Sequence, residues 1–304
     1  MVKSHRRRDG GGTDAATSVQ TLAVLLQAGC APLTTWRHLA GTGDAHAASI
    51  IARVEQGTAL VAAIEAEGGA WVDLAAAWEI ATTVGAPLAE VLRGIAETLR
   101  DAASAADDVR IALAEPAGTA RLLLLMPFAG LLLGFALGFD TIGVIVGTPV
   151  GAGCVALGLL LMLAARLWTT RLLKRAEPAP GTPGMRSELV AVALTGGASI
   201  ERALRLVAES AAVRHGESES IVAGNDRIDM VLELSRTAGV PAVELLRASA
   251  AHERHRARID GRIRASELST RLLIPLGVCT LPAFMLLGVA PLLLSVLAST
   301  PLTL

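Results

Sequence analysis

The sequence predicts an all-α, polytopic membrane protein: two cytoplasmic helical-bundle domains in tandem and three transmembrane helices. Three observations carry this. The stretch Leu122 to Leu167 is apolar apart from Asp140 and, near its end, Arg166, and each side of Asp140–Thr141 has the length to cross a roughly 30 Å hydrocarbon core as a helix. The chain is 52% hydrophobic with a mean hydropathy of +0.53, too apolar for a soluble domain of this length. The polar regions on either side of the apolar stretch resemble each other, as a duplicated unit does.

Charge orients the chain. The formal net charge is −1, but all 27 Lys and Arg residues lie outside the Asp140–Thr141 turn and before the tail that follows Leu297. Positive residues stay inside, so the N-terminal region and Lys174–Arg271 are expected in the cytoplasm, with the turn and residues 298–304 outside. This places the chain in the plasma (inner) membrane as a multi-pass protein. The basic start, His5-Arg6-Arg7-Arg8 within residues 1–14, reads as a disordered tail held inside by its charge. Aromatic residues make up 3% and Tyr is absent, so there is little to stack bases, and nucleic acid is not an expected partner. Cys30, Cys154 and Cys279 offer no disulfide framework. Met1 to Gly12 is polar with no apolar core behind it, so insertion is expected to use the internal spans.

Residues 15–120 read as about six short helices around a small core. Thr17 or Ser18 caps a helix carrying Leu22, Leu25 and Leu26, which Gly29 ends. Pro32 opens another, with Leu33, Trp36 and Leu39 at the spacing of a buried stripe. Asp44 caps a helix with Ile50, Ile51 and Val54, and Thr58 precedes Leu60, Val61 and Ile64. Gly68–Gly69 breaks the chain. Trp71 to Val84 places Leu74, Trp78 and Ala81 on one face. Gly85 then stops that helix, and Pro87 suits the first turn of the next, which carries Leu88, Val91, Leu92, Ile95 and Leu99 and runs as far as Leu113.

A hairpin over 121–168 follows, with spans 122–139 and 142–167. Gly130, Gly134 and Gly138 recur every fourth residue in the first span, and Gly143, Gly147 and Gly151 in the second. That spacing lets helix backbones approach in lipid, either span to span or copy to copy. Pro127 and Pro149 are expected to kink the spans. Residues 176–184, ending in EPAPGTPG, are a linker by composition. A second helical domain covers 185–270. The last span, 271–297, contains Pro275, Pro282 and Pro291.

Placed 167 positions apart, Leu22, Gly29, Leu33 and Leu39 fall on Leu189, Gly196, Ile200 and Leu206. At a separation of 154, Glu79, Thr83, Gly85, Pro87, Glu90 and Leu92 fall on identical residues: Glu233, Thr237, Gly239, Pro241, Glu244 and Leu246. The second copy is therefore 13 residues shorter between these anchors, which implies a helix lost near Gly216 to Gly224. Gly85–Pro87 and Gly239–Pro241 read as sharp helix–helix corners. Glu90 and Glu244 then sit in a first turn, where the helix dipole favours a carboxylate. These six residues are the candidate interaction positions, beside the plainer reading of helix stops and starts.

Signals for chemistry are sparse. There is no G-xxxx-G-K-[ST] phosphate loop and no HExxH. His252 and His255 are crowded by Glu253, Arg254 and Arg256 and read as a solvated helix face. The spans have no ionisable residue at depth, which argues against proton-coupled transport and intramembrane proteolysis. No catalytic, cofactor-binding or metal-ligating set is expected, and the chain reads as a non-enzyme. The Arg-rich segment from Arg254 to Arg271 suits the anionic inner leaflet or an acidic partner surface.

The duplicated Leu–Leu–xx–Gly–xxx–Leu start at Leu25 to Leu33, the two Gly–Pro corners and the closing IPLGVCTLPAFMLLGVAPLL from Ile274 to Leu293 resemble the type II secretion system F family of platform proteins. The closing segment is most similar to the shorter TadB/TadC-like members. The resemblance implies a non-enzymatic inner-membrane platform of a secretion or type IV (Tad/Flp-like) pilus machine. It also implies as partners a hexameric secretion ATPase, a pilin or pseudopilin, and a paralogous platform subunit or a second copy. A transporter or channel subunit and a membrane-tethered scaffold are the readings from other classes.

Overall fold

The computed structural model describes residues 11–136, 149–176, 182–215, 219–290 and 293, and every regular element among them is helical. The chain forms two compact units, one of Met1–Ala106 with Ala179–Ile259, the other of Asp107–Pro178 with Asp260–Leu304.

The first unit begins with α1 (Gly11–Gln27). Thr17 and Ser18 therefore lie inside the helix rather than at its cap, and the Ser18 hydroxyl donates to the Asp44 carboxylate. Gly29, at φ 89°, ends the element, with the Gly29 N–H donating to Leu26 O at 3.0 Å and the Cys30 N–H to Leu25 O at 3.1 Å. Pro32 then opens α2 (Pro32–Gly41), where its missing N–H costs no helical bond. Asp44 caps α3 (Ala45–Glu55) by accepting the Ala47 N–H at 2.9 Å. The short α4 (Leu60–Glu65) and the Gly68–Gly69 break lead to α5 (Ala70–Val84).

α5 decides the architecture of this unit. Trp71, Leu74, Ala75, Ala77, Trp78, Ile80 and Ala81 are all buried, so it is apolar around nearly its whole circumference and must be covered on both sides. Trp71 and Trp78 lie 6.1 and 5.9 Å from Trp36, ring centre to ring centre, near the middle of the core. α1 and α8 (Met185–Thr195) both pack against α5. Two bundles, 15–120 and 185–270, were expected from the sequence. The two segments instead share one core, in which Leu22, Ile50, Ile64 and Ile95 join Val190, Val207, Ile228 and Leu246.

The later elements are α9 (Ile200–His215), α10 (Glu219–Ala238) and α11 (Ala242–Pro275). The first segment has two helices, α3 and α4, between α2 and α5, whereas among the described residues no helix lies between α9 and α10. Of the stretch 216–224, where the sequence implied a lost helix, residues 219–224 belong to α10 and 216–218 lie outside the described residues.

The expected boundaries at 120/121 and 270/271 fall inside helices. α6 runs from Leu88 to Ala136 and α11 from Ala242 to Pro275, each without interruption. Pro116 does not stop α6.

In the second unit, α7 (Pro149–Ala176) contains the stretch Pro149–Leu172, long and apolar enough to cross a membrane at a mean hydropathy of 2.1; it is the one such stretch found among the described residues. Residues 122–136 of the expected first span form the end of α6, while 137–139, the Asp140–Thr141 turn and 142–148 lie outside the described residues. The expected last span, 271–297, is described to Ala290 and at Leu293. It is wound as π-helical turns Leu276–Thr280 and Met285–Val289 on either side of α12 (Leu281–Phe284). Pro282 cannot donate to the preceding turn, and a locally widened helix accommodates that loss. Met162 of α7 packs on Ala283 and Leu287. Leu157, Leu160, Leu163, Val278 and Leu281 stay exposed, as lipid-facing side chains would be.

Candidate functional site

The six residues singled out in the sequence form two corners with the same local chemistry. At the first, Gly85 takes φ 77° and ψ 27°, which only glycine adopts without strain, and the Ala86 N–H donates to Ala81 O at 2.9 Å. Pro87 lies immediately before α6, and its carbonyl accepts the Glu90 N–H at 3.0 Å and the Val91 N–H at 3.1 Å. At the second, Gly239 takes φ 66° and the Ser235 hydroxyl donates to Val240 O at 2.7 Å. The Pro241 carbonyl accepts the Glu244 N–H at 3.2 Å, and the Glu244 carboxylate lies 3.9 Å from Arg247. Gly85, Pro87, Glu90, Gly239, Pro241 and Glu244 are all exposed.

The first corner is buttressed. A Cβ built on Gly196, at the end of α8, would lie 2.2 Å from Val84 Cγ2 and 2.9 Å from Val84 Cβ. Beside it, α5 and α9 enclose a small cleft lined by Glu79, Ile80, Thr83, Leu206, Glu209, Ser210 and Arg214. The Arg214 side chain is 4% exposed. It donates to Glu79 Oε2 at 2.8 Å and to Ser210 Oγ at 2.6 Å, and its Nε lies 3.3 Å from Glu65 Oε2. The repeated glutamate at 233 has no such clamp. It is exposed and lies 3.6 Å from Arg236 on its own helix. Sequence reasoning missed Arg214 because Glu65 and Glu79 are more than a hundred residues away and no local pattern marks it.

Charge also lines the two long helices. In the first unit, Arg254 Nε lies 3.4 Å from Asp101 and Arg258 donates to Ser104 at 3.2 Å. In the second, Arg262 donates to Asp108 at 2.9 Å. Three of the six arginines between 254 and 271 thus face α6, and Arg256, Arg264 and Arg271 remain exposed. Glu188 is buried near this ladder. Burial pushes its carboxyl up, Arg254 and Arg247 pull it down, Glu97 adds to the rise, and it ends above its ordinary value of 4.5. Glu67 behaves oppositely. Burial raises it, but hydrogen bonds with His46, Ser49 and Arg53, together with the Arg53 charge, leave it below 4.5. His46 Nδ1 and Arg53 NH1 each lie 2.6 Å from its oxygens.

Of the glycines expected to pack spans, Gly130 and Gly134 lie on α6 and Gly151 on α7, while Gly138, Gly143 and Gly147 lie outside the described residues. The close approach in this unit is at Gly158, where a Cβ would lie 2.6 Å from Leu287 Cγ. Its seven-residue spacing from Gly151 is the signal that could have found it. In α11 a Cβ on Gly261 would lie 2.9 Å from Val109 Cγ2, so this glycine too admits a neighbour. His252 and His255 are exposed on α11.

Residues 18–136 match the family model for the type II secretion system (T2SS), protein F. The match runs from within α1 to the end of α6 and so contains the first corner. No curated protein sequence matches the chain.

Proposed function

Starting from the type II secretion system protein F domain that the chain carries at residues 18–136, we propose that the protein is an inner-membrane platform subunit of a type II secretion or type IV (Tad/Flp-like) pilus machine. It couples a cytoplasmic secretion ATPase to the assembly of pilin or pseudopilin and carries no reaction of its own. The family match is the observation that carries this reading. The exposed apolar surface of α7 and its 24-residue apolar stretch support the membrane setting.

A tandem repeat of the matched unit is the second part of the proposal. Element ends support it. α5 stops at 84 and α10 at 238, left-handed glycines follow at 85 and 239, and α6 and α11 start at 88 and 242, all 154 apart. For the opening hairpins the backbone favours an offset of 168 over the 167 read from residue identity. Ala28, Gly29 and Cys30 donate to Val24, Leu26 and Leu25; Gly196, Gly197 and Ala198 donate to Val192, Leu194 and Ala193. Gly29 and Gly197 are the left-handed pair, at φ 89° and 84°. In this reading the shared core is a compact cytoplasmic body, and α6 and α11 continue from it into the second unit.

The test is co-purification. The tagged full-length chain, extracted in mild detergent from cells that also make a secretion ATPase from the same genome, retains that ATPase; an unrelated multi-pass protein with the same tag does not. Equal recovery on both would sink the platform reading.

A further inference from the structure

We propose that the outer face of α10 is a docking site for the α1–α2 hairpin of a second copy of this chain, joined head to tail. The inference rests on the tandem repeat proposed above and is independent of the ATPase.

The argument begins with a contact inside one chain. α8 and α9 lie on α5, with Gly196 against Val84 and Leu206 and Ser210 beside Glu79 and Ile80. Under the offset of 154, the covered face of α5 has a counterpart on α10. Ala76, Ile80 and Ala86 are buried, whereas their counterparts Met230, Leu234 and Val240 are 71%, 52% and 39% exposed. The same face is thus satisfied in one half and open in the other. Two large apolar side chains in contact with water on one helix face, with Val240 in the corner that follows, favour a partner.

The partner's chemistry follows from the other half of the same contact. Under the offset of 168, α1 and α2 correspond to α8 and α9. Met185 and Val192, which α8 buries, correspond to Thr17 and Val24 on α1, and both of these are exposed, Val24 at 52%. Gly196 corresponds to Ala28, also exposed. Ser210 corresponds to Thr42, another hydroxyl, and Leu206 to His38, next to exposed Arg37. A copy placing its α1–α2 on α10 as α8–α9 lie on α5 would bring Arg37, beside His38, toward Glu233, matching a cation with a carboxylate. Each copy would keep one open face of each kind, so the contact is heterologous and can propagate.

The internal contact sets the test. Its closest pair, Val84 with Gly196, corresponds to Ala238 of one copy with Ala28 of the other. In a background with Cys30, Cys154 and Cys279 replaced by Ser, two differently tagged full-length chains are co-expressed, one Ala28→Cys and the other Ala238→Cys, and membranes are treated with a mild oxidant. The expected product is a mixed-tag disulfide dimer exceeding either same-position dimer, lost when Glu233→Arg is added to the Ala238→Cys chain. The internal pair Val84→Cys with Gly196→Cys is the control: its Cβ atoms would lie 2.9 Å apart, so a small outward shift brings them to the roughly 3.8 Å of a disulfide and the bond closes within one chain. If the control closes and the mixed dimer does not form, or only Ala238–Ala238 dimers form, the docking proposal is overturned and the repeat stands. If the control also fails to close, the contact that served as template is wrong and the docking proposal falls with it, while the repeat, which rests on element ends and backbone bonds, is judged separately.

Discussion

The corner at Gly85 and the corner at Gly239 turn the chain in the same way and stand in different surroundings. Both use a left-handed glycine, both place a proline carbonyl at the start of a long helix, and both put a glutamate in its first turn. The first is pressed by Gly196 and flanked by the Arg214 clamp. The second, with Val240, Pro241 and Glu244, faces outward. Local backbone chemistry therefore sets the bend, and what packs against the bend sets its energetic weight. The comparison makes separable claims, because substitutions can address the backbone, the buttress and the clamp one at a time.

The largest effect belongs to the buttress. Gly196→Leu forces a side chain into the space held by Val84 and the backbone at Ala86, and overpacking of that kind costs about 3 kcal/mol. Ala28→Leu, at the corresponding and exposed position, is expected to stay within about 0.5 kcal/mol in dilute detergent, where copies are apart. Denaturant unfolding followed by tryptophan fluorescence reads both, since Trp36, Trp71 and Trp78 lie in the core beside the first corner. Equal losses would erase the distinction between the two surroundings.

The clamp comes next. Arg214→Ala removes charged hydrogen bonds to Glu79 and Ser210 and opens space near Glu65, an expected loss of about 2 kcal/mol. Arg236→Ala, which removes the neighbour of the corresponding Glu233, is a change to an exposed pair and should cost under about 0.5 kcal/mol. A comparable cost for the two arginines would mean that burial of Arg214 contributes nothing.

The backbone prediction runs the other way, toward sameness. Gly85→Ala and Gly239→Ala each place a Cβ in a left-handed residue, at about 1 kcal/mol apiece. No neighbouring atom lies within 4 Å of either added Cβ, so the buttress should not enter the difference. A Gly85→Ala loss several times that of Gly239→Ala would show that the bend itself, and not only its surroundings, differs between the halves.

These contrasts mark what the residues disclose on their own. Asp44 before Ile50 and Ile51, Pro32 before Trp36, and Gly85 after Val84 are short-range signals, and the corresponding cap, helix start and stop are where such signals place them. The Thr17 or Ser18 cap failed because Ser18 serves Asp44, a tertiary demand that no local pattern contains. At the expected boundary before Leu122 composition changes without the backbone changing, because no effective stop lies between the polar and apolar parts of α6. Arg214 and the shared core were hidden for one reason. Both depend on which side of α5 the later segment covers, and an apolar helix such as α5 advertises that it needs cover without saying from where. The register of the proposed repeat is a subtler case. Residue identity pairs Gly29 with Gly196, whereas the left-handed conformation is shared by Gly29 and Gly197.

The smallest expected effects separate Glu67 from Glu188 and test what the first half has that the second lacks. Glu67 anchors the α3–α4 segment through His46 and Arg53, and its carboxyl is held below the ordinary value. The stability it lends is present above the ordinary value near 4.5 and is lost as pH falls through the lowered one. Glu188 is held above the ordinary value, chiefly by burial. Its contribution is therefore present in acid, below that ordinary value, and is lost as pH rises through the raised one. Unfolding of the parent, Glu67→Gln and Glu188→Gln from acid to neutral pH should give difference curves of opposite slope. The cost of Glu67→Gln grows toward neutrality. Glu188→Gln, which keeps the shape of the protonated acid, gains on the parent over the same range. Parallel curves would mean that Arg247 and Arg254 compensate the buried carboxylate fully, and the ladder along α6 and α11 would then balance its charges in both halves alike.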